Sequence, residues 1–241
     1  MPRTIRLSHL LPYAVGAIVL LGIAAGTTSH WASRADEAGV LVPTPTLDQP
    51  HAAGDLQTAV LAGGCFWGVQ GVFQHVKGVQ QVLAGYAGGV QATAHYDEVS
   101  TGETGHAESV EIKFDPAQIS YGEILRIFFS VAHDPTELNR QGPDVGTQYR
   151  SVIFYADPSQ QKIAQAYIAQ LDGAHSFSRP IATRVDALTG FFPAEAYHQD
   201  FLIHNPTYPY IVFNDLPKIA QLKQLFPEDY REQPVTVAAT Q

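Results

Sequence analysis

One cysteine, Cys65, and one methionine, Met1, stand in a chain of 241 residues. A lone cysteine excludes an internal disulfide and an all-cysteine metal site. Any oxidised form of Cys65 must therefore be reduced by something outside the chain. The single methionine suits an oxidising location and chance composition equally. Basic residues are scarce as well: 14 Lys and Arg against 23 Asp and Glu give a formal net charge of −9. Nucleic-acid binding needs a basic face, so no nucleic-acid partner is expected, and the acidic balance speaks mainly for solubility. Charged residues make up 15% and hydrophobic ones 45%, the composition of a folded core and not of a disordered chain. No internal repeat is visible.

Long apolar runs are also rare, and the one at 10–26 follows Arg3 and Arg6. Positive flank, apolar centre and the small residues Ala24, Ala25 and Gly26 are the pattern of an export signal. The run is longer than most signal cores and at the lower edge of a membrane span, so it reads as either a cleaved signal or an uncleaved membrane tether. The positive-inside rule then puts the remainder outside the cytoplasm, in the periplasm or on the extracytoplasmic face of the inner membrane. Residues 27–55, punctuated by Pro43, Pro45, Pro50 and Gly54, read as an extended linker. The globular domain is expected at 56–231, and 232–241 as a tail.

Within that domain, 58–62 is a short apolar strand ending in Gly63-Gly64. Val69, Val72, Phe73 and Val76 recur at helical spacing. Residues 79–86 read as a strand and 87–105 as a long loop, whose length points to function or disorder. Residues 108–114 alternate at period two, which sets Val110, Ile112 and Phe114 on one face together with Glu108. Ser120 and Glu123 form a capping box for a helix to about residue 132. Strands are expected at 149–155 and 181–188, and a helix follows the cap-then-proline pair Asp157-Pro158. A short helix should start at Pro193, and a last one span 216–226. Alternation of this kind favours one α/β or α+β domain of two layers.

The segment Gly63-Gly64-Cys65-Phe66-Trp67-Gly68 concentrates the only thiol, one of two tryptophans and three of 20 glycines. A buried structural cysteine is one reading. Against it, Cys65 precedes a helix, where the dipole and free N–H groups favour an anion and lower a thiol pKa. Glu108 opens the apolar face of its strand. Burial there would keep its carboxyl protonated and make it a proton donor; a side chain turned into solvent is the plain alternative.

Four segments, Gly64-Cys65-Phe66-Trp67-Gly68, Gly105-His106-Ala107-Glu108, Gly142-Pro143-Asp144-Val145-Gly146-Thr147-Gln148-Tyr149-Arg150-Ser151 and Glu195-Ala196-Tyr197-His198-Gln199, resemble the A-type peptide methionine sulfoxide reductases in order. The resemblance runs from about residue 56 to 213. It implies a two-layer α+β sandwich with a central mixed sheet around a ferredoxin-like core. It implies Cys65 as nucleophile, Phe66 and Trp67 as walls for the substrate methyl group, and Glu108 as the acid on the sulfoxide oxygen. Tyr96 and Tyr149 would donate hydrogen bonds to that oxygen, and Asp144 would position or polarise the site. The substrate would be the S epimer of methionine sulfoxide, free or in proteins, with no metal and no organic cofactor. Many members carry a second, resolving cysteine near the C-terminus. This chain has none, so the implied reductant, a thioredoxin-like protein or a small thiol, must act directly on Cys65.

Two other classes fit parts of the sequence. His106, His133 or His198 with Asp144 or Asn205 could serve a Cys–His hydrolase, although no papain-like signature is present. A tethered binding module could use Trp67 and the tyrosines as its surface. His95, His106 and His133 lack a ligand-spacing rule for metal. Tyr197 and His198 read as packing or supporting groups, and Tyr208 and Tyr210 as ordinary aromatics.

Overall fold

The structure is a computed structural model that describes residues 39–237. The expected signal or tether at 10–26 lies outside the described residues, and among those described no helix is long and apolar enough to cross a membrane.

A six-stranded sheet forms the centre, with strands β1 (Gln57–Gly63), β2 (Val79–Ala87), β3 (Ala107–Phe114), β6 (Ser151–Tyr155), β7 (Arg184–Ala187) and β8 (Phe191–Pro193) in the order β7-β6-β1-β3-β2-β8. All neighbours are antiparallel except β6 and β7, so the sheet is mixed, as expected. Strands β4 (Arg140–Gln141) and β5 (Asp144–Val145) make a separate small ribbon. Helix α1 (Phe66–Gln74) crosses from β1 to β2, leaving a gap that β3 fills. Helix α3 (Tyr121–Ile127) crosses from β3 to β6 around β1 in the same way.

The helix periodicity read from the sequence is realised: Val69, Val72, Phe73 and Val76 are buried with Val110, Ile112 and Phe114 of β3 in one core cluster. Fully burying side chains of this size contributes about 1.5–3 kcal/mol each. Helix α4 (Pro158–Gly173) adds Ile163, Ala164, Tyr167 and Leu171 to that cluster. On the opposite face Val60, Ala62, Ala87, Ala107, Val152 and Phe154 form a smaller cluster closed by Leu188 and Phe191. Alternate residues of β1 thus feed two apolar faces. Ser120 caps α3 through the reciprocal bonds expected of it with Glu123, and the helix then relaxes into a π-helical turn, Phe128–Ala132.

Several boundaries differ from the sequence reading. Strand β6 starts at Ser151, and Tyr149 sits instead in a 3₁₀ turn, Thr147–Tyr149. Of the strand expected at 181–188, only 184–187 pair, as β7. Pro193 ends the edge strand β8 rather than starting a helix; proline is tolerated there because an edge position needs no further N–H. The loop expected at 87–105 contains helix α2 (Tyr96–Val99).

The stretch before β1 is extended but not loose. Val42 is buried, its N–H reaches Ser130 Oγ, and its carbonyl accepts from Arg126 Nε. Asp48 accepts from the Ser120 hydroxyl and from the Gly122 N–H, which strengthens the start of α3. The expected tail is likewise tied down as far as it is described, with Val235 N–H on the Gln74 carbonyl and Val237 N–H on Asp200.

Candidate active site

Cys65 is the N-cap residue of α1, at the end of β1. The chain turns there through Gly64, whose φ of 91° is left-handed and where a Cβ would overlap Gln141; glycine alone adopts this cheaply. The thiol is buried, with 9% of its residue surface exposed. Its pKa is pushed well above the ordinary thiol range, first by burial and then by the negative charges of Glu108 and Asp215, against the pull of the Trp67 backbone N–H. This corrects the expectation of a lowered pKa: the helix terminus does act on the sulfur, but loss of water and two nearby carboxyl groups outweigh it.

Glu108 stands on the helix-facing side of β3 opposite Tyr86 of β2 and is 3% exposed. Its Oε2 accepts the Phe66 backbone N–H at 3.0 Å. Burial raises its pKa to about 8, although that hydrogen bond works the other way. The carboxyl is therefore protonated at neutral pH, as the apolar strand face led one to expect. With Oε2 occupied as an acceptor, Oε1 is the oxygen free to carry the proton.

The other resemblance residues converge on this pair. Tyr96, at the start of α2, has its pKa raised by burial and then by Glu108 and Cys65. Tyr149 is raised by burial and then by Glu108, Asp144 and Cys65. Both hydroxyls thus stay protonated donors. The Tyr149 turn is clamped beside α2 by Gln148 Nε2 on the Ser100 carbonyl, at 3.0 Å, and by Arg150, whose guanidinium donates to the carbonyls of Gly105, His106 and Thr147. That clamp explains why this segment is a turn and not the start of β6. Asp144 is half-buried, its pKa raised by burial, and one of its oxygens accepts a short hydrogen bond from the Tyr210 hydroxyl.

Phe66 and Trp67 follow the thiol directly as the first two residues of α1. Trp67 stacks on Phe201 with ring centroids 3.8 Å apart and planes 10° from parallel, and meets the edges of Tyr208 and Tyr210. Phe66 contacts Tyr86 and His198. The segment 195–199 ties down the elements around these rings. Glu195 accepts the Tyr96 backbone N–H at 2.9 Å and the Tyr86 hydroxyl at 2.8 Å. The Gln199 amide pairs with both the N–H and the carbonyl of Ala84 on β2.

Two residues of the site went unread in the sequence. Tyr210, taken there for an ordinary aromatic, holds Asp144. Asp215 is fully buried at the start of helix α6 (Leu216–Leu225), with its pKa raised by burial to about 6 and partly restored by Lys218. It packs against Gly68 so closely that a Cβ at that position would overlap its Oδ1. Both lie far along the chain from their partners. The one available signal was the glycine at position 68, a small residue inside a helix that leaves room for a neighbour.

The imidazoles of the hydrolase alternative have hydrogen-bond partners other than the thiol. His133 bonds the Phe128 carbonyl and Ser151 Oγ and has its pKa lowered by burial to about 3. His106 reaches the Val90 carbonyl, and His198 bonds Trp67.

The chain that carries this site is similar to known proteins. Residues 57–230 match the model of the peptide methionine sulfoxide reductase family. The chain is 60% identical over 191 residues to peptide methionine sulfoxide reductase MsrA 2 of Mesorhizobium japonicum, covering 79% of this chain and 97% of that protein. It is 50% identical over 196 residues to the MsrA 2 of Synechocystis sp., covering 80% and 92%. Among solved structures, methionine sulfoxide reductase A of Corynebacterium diphtheriae aligns with a TM-score of 0.55 at 34% identity, covering 71% of this chain and 90% of that one. Mxr1 from Saccharomyces cerevisiae in reduced form aligns at 0.57 and 30%, covering 68% and 92%. The chain belongs to the peptide methionine sulfoxide reductase family.

Proposed function

We propose that Cys65 attacks the sulfur of a methionine S-sulfoxide, free or in a protein, while Glu108 protonates its oxygen. The chain is a thiol-dependent oxidoreductase that reduces methionine sulfoxide to methionine, a protein-repair reaction. The observation that carries the residue assignment is the buried Glu108 carboxyl, its Oε2 bound by the N–H of Phe66, the residue next to the thiol.

A sulfoxide oxygen leaves poorly until it is protonated, so the nucleophile needs an acid at its side. Glu108 passes its Oε1 proton to the sulfoxide oxygen as Cys65 Sγ bonds the sulfur, and the Glu108 carboxylate then takes the thiol proton. Tyr96 and Tyr149 donate to the same oxygen, and Asp144, held by Tyr210, tunes the field around it. Transfer of the hydroxyl to Cys65 releases methionine and leaves a sulfenic acid. An external thiol attacks that sulfur, water leaves, and a mixed disulfide forms. A second thiol displaces Cys65, so two electrons enter as one new disulfide of the reductant. The lone cysteine favours a thioredoxin-like protein or a small thiol acting on Cys65 itself.

Turnover of separated epimers tests this reading. Cys65→Ser should be inactive, with only the S epimer consumed by the unaltered chain; activity in Cys65→Ser, or hydrolysis without a thiol, would refute it.

The remaining parts of the reading rest on the sequence pattern and strand order. The order β6-β1-β3-β2 with helices α1 and α3 in the two crossovers supports a ferredoxin-like core in a two-layer sandwich. Arg3 and Arg6 before the apolar run at 10–26 support export, with the catalytic domain at 56–231 held outside the cytoplasm by a signal or tether. Recovery of the native chain from the cytosolic fraction of its cells would overturn export.

A further inference from the structure

His198 is assigned no part in the chemistry above, yet it touches three of the residues that line the site. Its ring centroid lies 4.5 Å from that of Tyr96, 5.0 Å from Phe66 and 5.8 Å from Trp67. The residue is 2% exposed. Its Nδ1 is 3.2 Å from the indole nitrogen of Trp67, and its Nε2 is buried without a hydrogen-bond partner among the described residues.

The chemistry of the pair fixes the state of the imidazole. An indole N–H only donates, so Nδ1 must be the bare, accepting nitrogen, and a neutral ring then carries its proton on Nε2. An imidazolium would set two N–H groups against each other. Burial disfavours that cation in any case, though Glu195 favours it.

Packing alone does not call for this residue. A buried donor left unpaired costs about 1–3 kcal/mol, and a phenyl ring would fill the same space without that cost. What a phenyl ring cannot do is accept a hydrogen bond. The other ring contacts of Trp67 are a stack on Phe201 and edge contacts with Tyr208 and Tyr210, and none of them is a directional polar bond. The bond to Nδ1 is directional and adds a fixed orientation to that packing.

We propose that His198 is a positioning residue: its neutral imidazole, protonated on Nε2 alone, fixes the Trp67 indole as the wall against which the substrate methyl group rests. The proposal rests on the reading of Trp67 as a pocket wall, and the test separates the two. His198→Phe keeps a ring and removes the acceptor, Trp67→Phe removes the donor, and the double variant closes the cycle. KM for the S-sulfoxide should rise roughly two- to tenfold in His198→Phe, as for loss of one hydrogen bond, with a smaller change in kcat. The double variant should be no worse than Trp67→Phe. A raised KM in Trp67→Phe with an unchanged KM in His198→Phe overturns the role of His198 alone. An unchanged KM in Trp67→Phe overturns the wall reading and the proposal with it. Nitrogen-15 NMR of the histidines in the full chain decides the matter without any variant: a bare Nδ1 and a protonated Nε2 on His198 are expected, and a protonated Nδ1 contradicts the proposal.

Discussion

The backbone N–H of Phe66 donates to Oε2 of Glu108 at 3.0 Å, so the residue that follows the thiol also orients the acid. One peptide unit thereby links α1 to β3 and holds both reacting groups in a common frame. Burial leaves the carboxyl with a pKa of about 8, and this value drives the first two predictions.

Activity on the S-sulfoxide should fall as pH rises through about 8, because Glu108 then loses the proton it donates. Glu108→Gln should lose roughly 10²- to 10⁴-fold in kcat/KM and lack that descending limb. A pH–rate profile of both proteins checks this; an identical limb in the variant would assign it to another group.

The same shift has a consequence for stability. The Glu108 pKa is raised from 4.5 to about 8 on folding. Between those values the folded state holds a proton that the unfolded state has released, and stability must fall as pH rises. The contribution is fully present below the unfolded value and lost through the folded one. Denaturant titrations from pH 4 to 9 should show Glu108→Gln gaining on the unaltered chain as pH rises; a constant difference would contradict the buried, protonated carboxyl.

Gly68→Ala should destabilise the fold by roughly 1–3 kcal/mol, the usual cost of overpacking. Its new methyl group would press on the Asp215 carboxyl and on Lys218 Nζ, 3.0 Å away. Thermal melting measures this, and an unchanged midpoint would mean that helices α1 and α6 are not packed as described.

Asp48→Ala should cost roughly 1–3 kcal/mol, since its carboxylate accepts from both Ser120 Oγ and the Gly122 N–H. Activity per folded molecule should be unaffected, as Asp48 takes no part in the site. Chemical denaturation without any loss would show that residues 39–52 merely lie on the domain.

Much of this was legible in the sequence where one local rule decided the outcome. The capping box at Ser120, the helical spacing of Val69 to Val76 and the two-residue period of β3 each needed only a few neighbours. Glu108 was legible because a strand's faces alternate, which put a carboxyl on an apolar side. What could not be read was set by partners distant in sequence. The strand expected from residue 149 was overridden by Arg150, which bonds carbonyls at 105 and 106 and so turns Tyr149 toward the thiol. Tyr210 and Asp144 are separated by 66 positions, and no local pattern joins them. For Cys65 the local rule of the helix terminus gave the wrong sign, because burial and the charges of Glu108 and Asp215 outweighed it.

A single-turnover experiment with no reductant tests the central claim most directly. The full chain is mixed with excess methionine S-sulfoxide, and both the released methionine and the oxidation state of Cys65 are measured. One methionine per chain, with Cys65 trapped as a sulfenic acid by a dimedone-type reagent, is the predicted result. Methionine formed without oxidation of Cys65, or no methionine from an intact thiol, would contradict it.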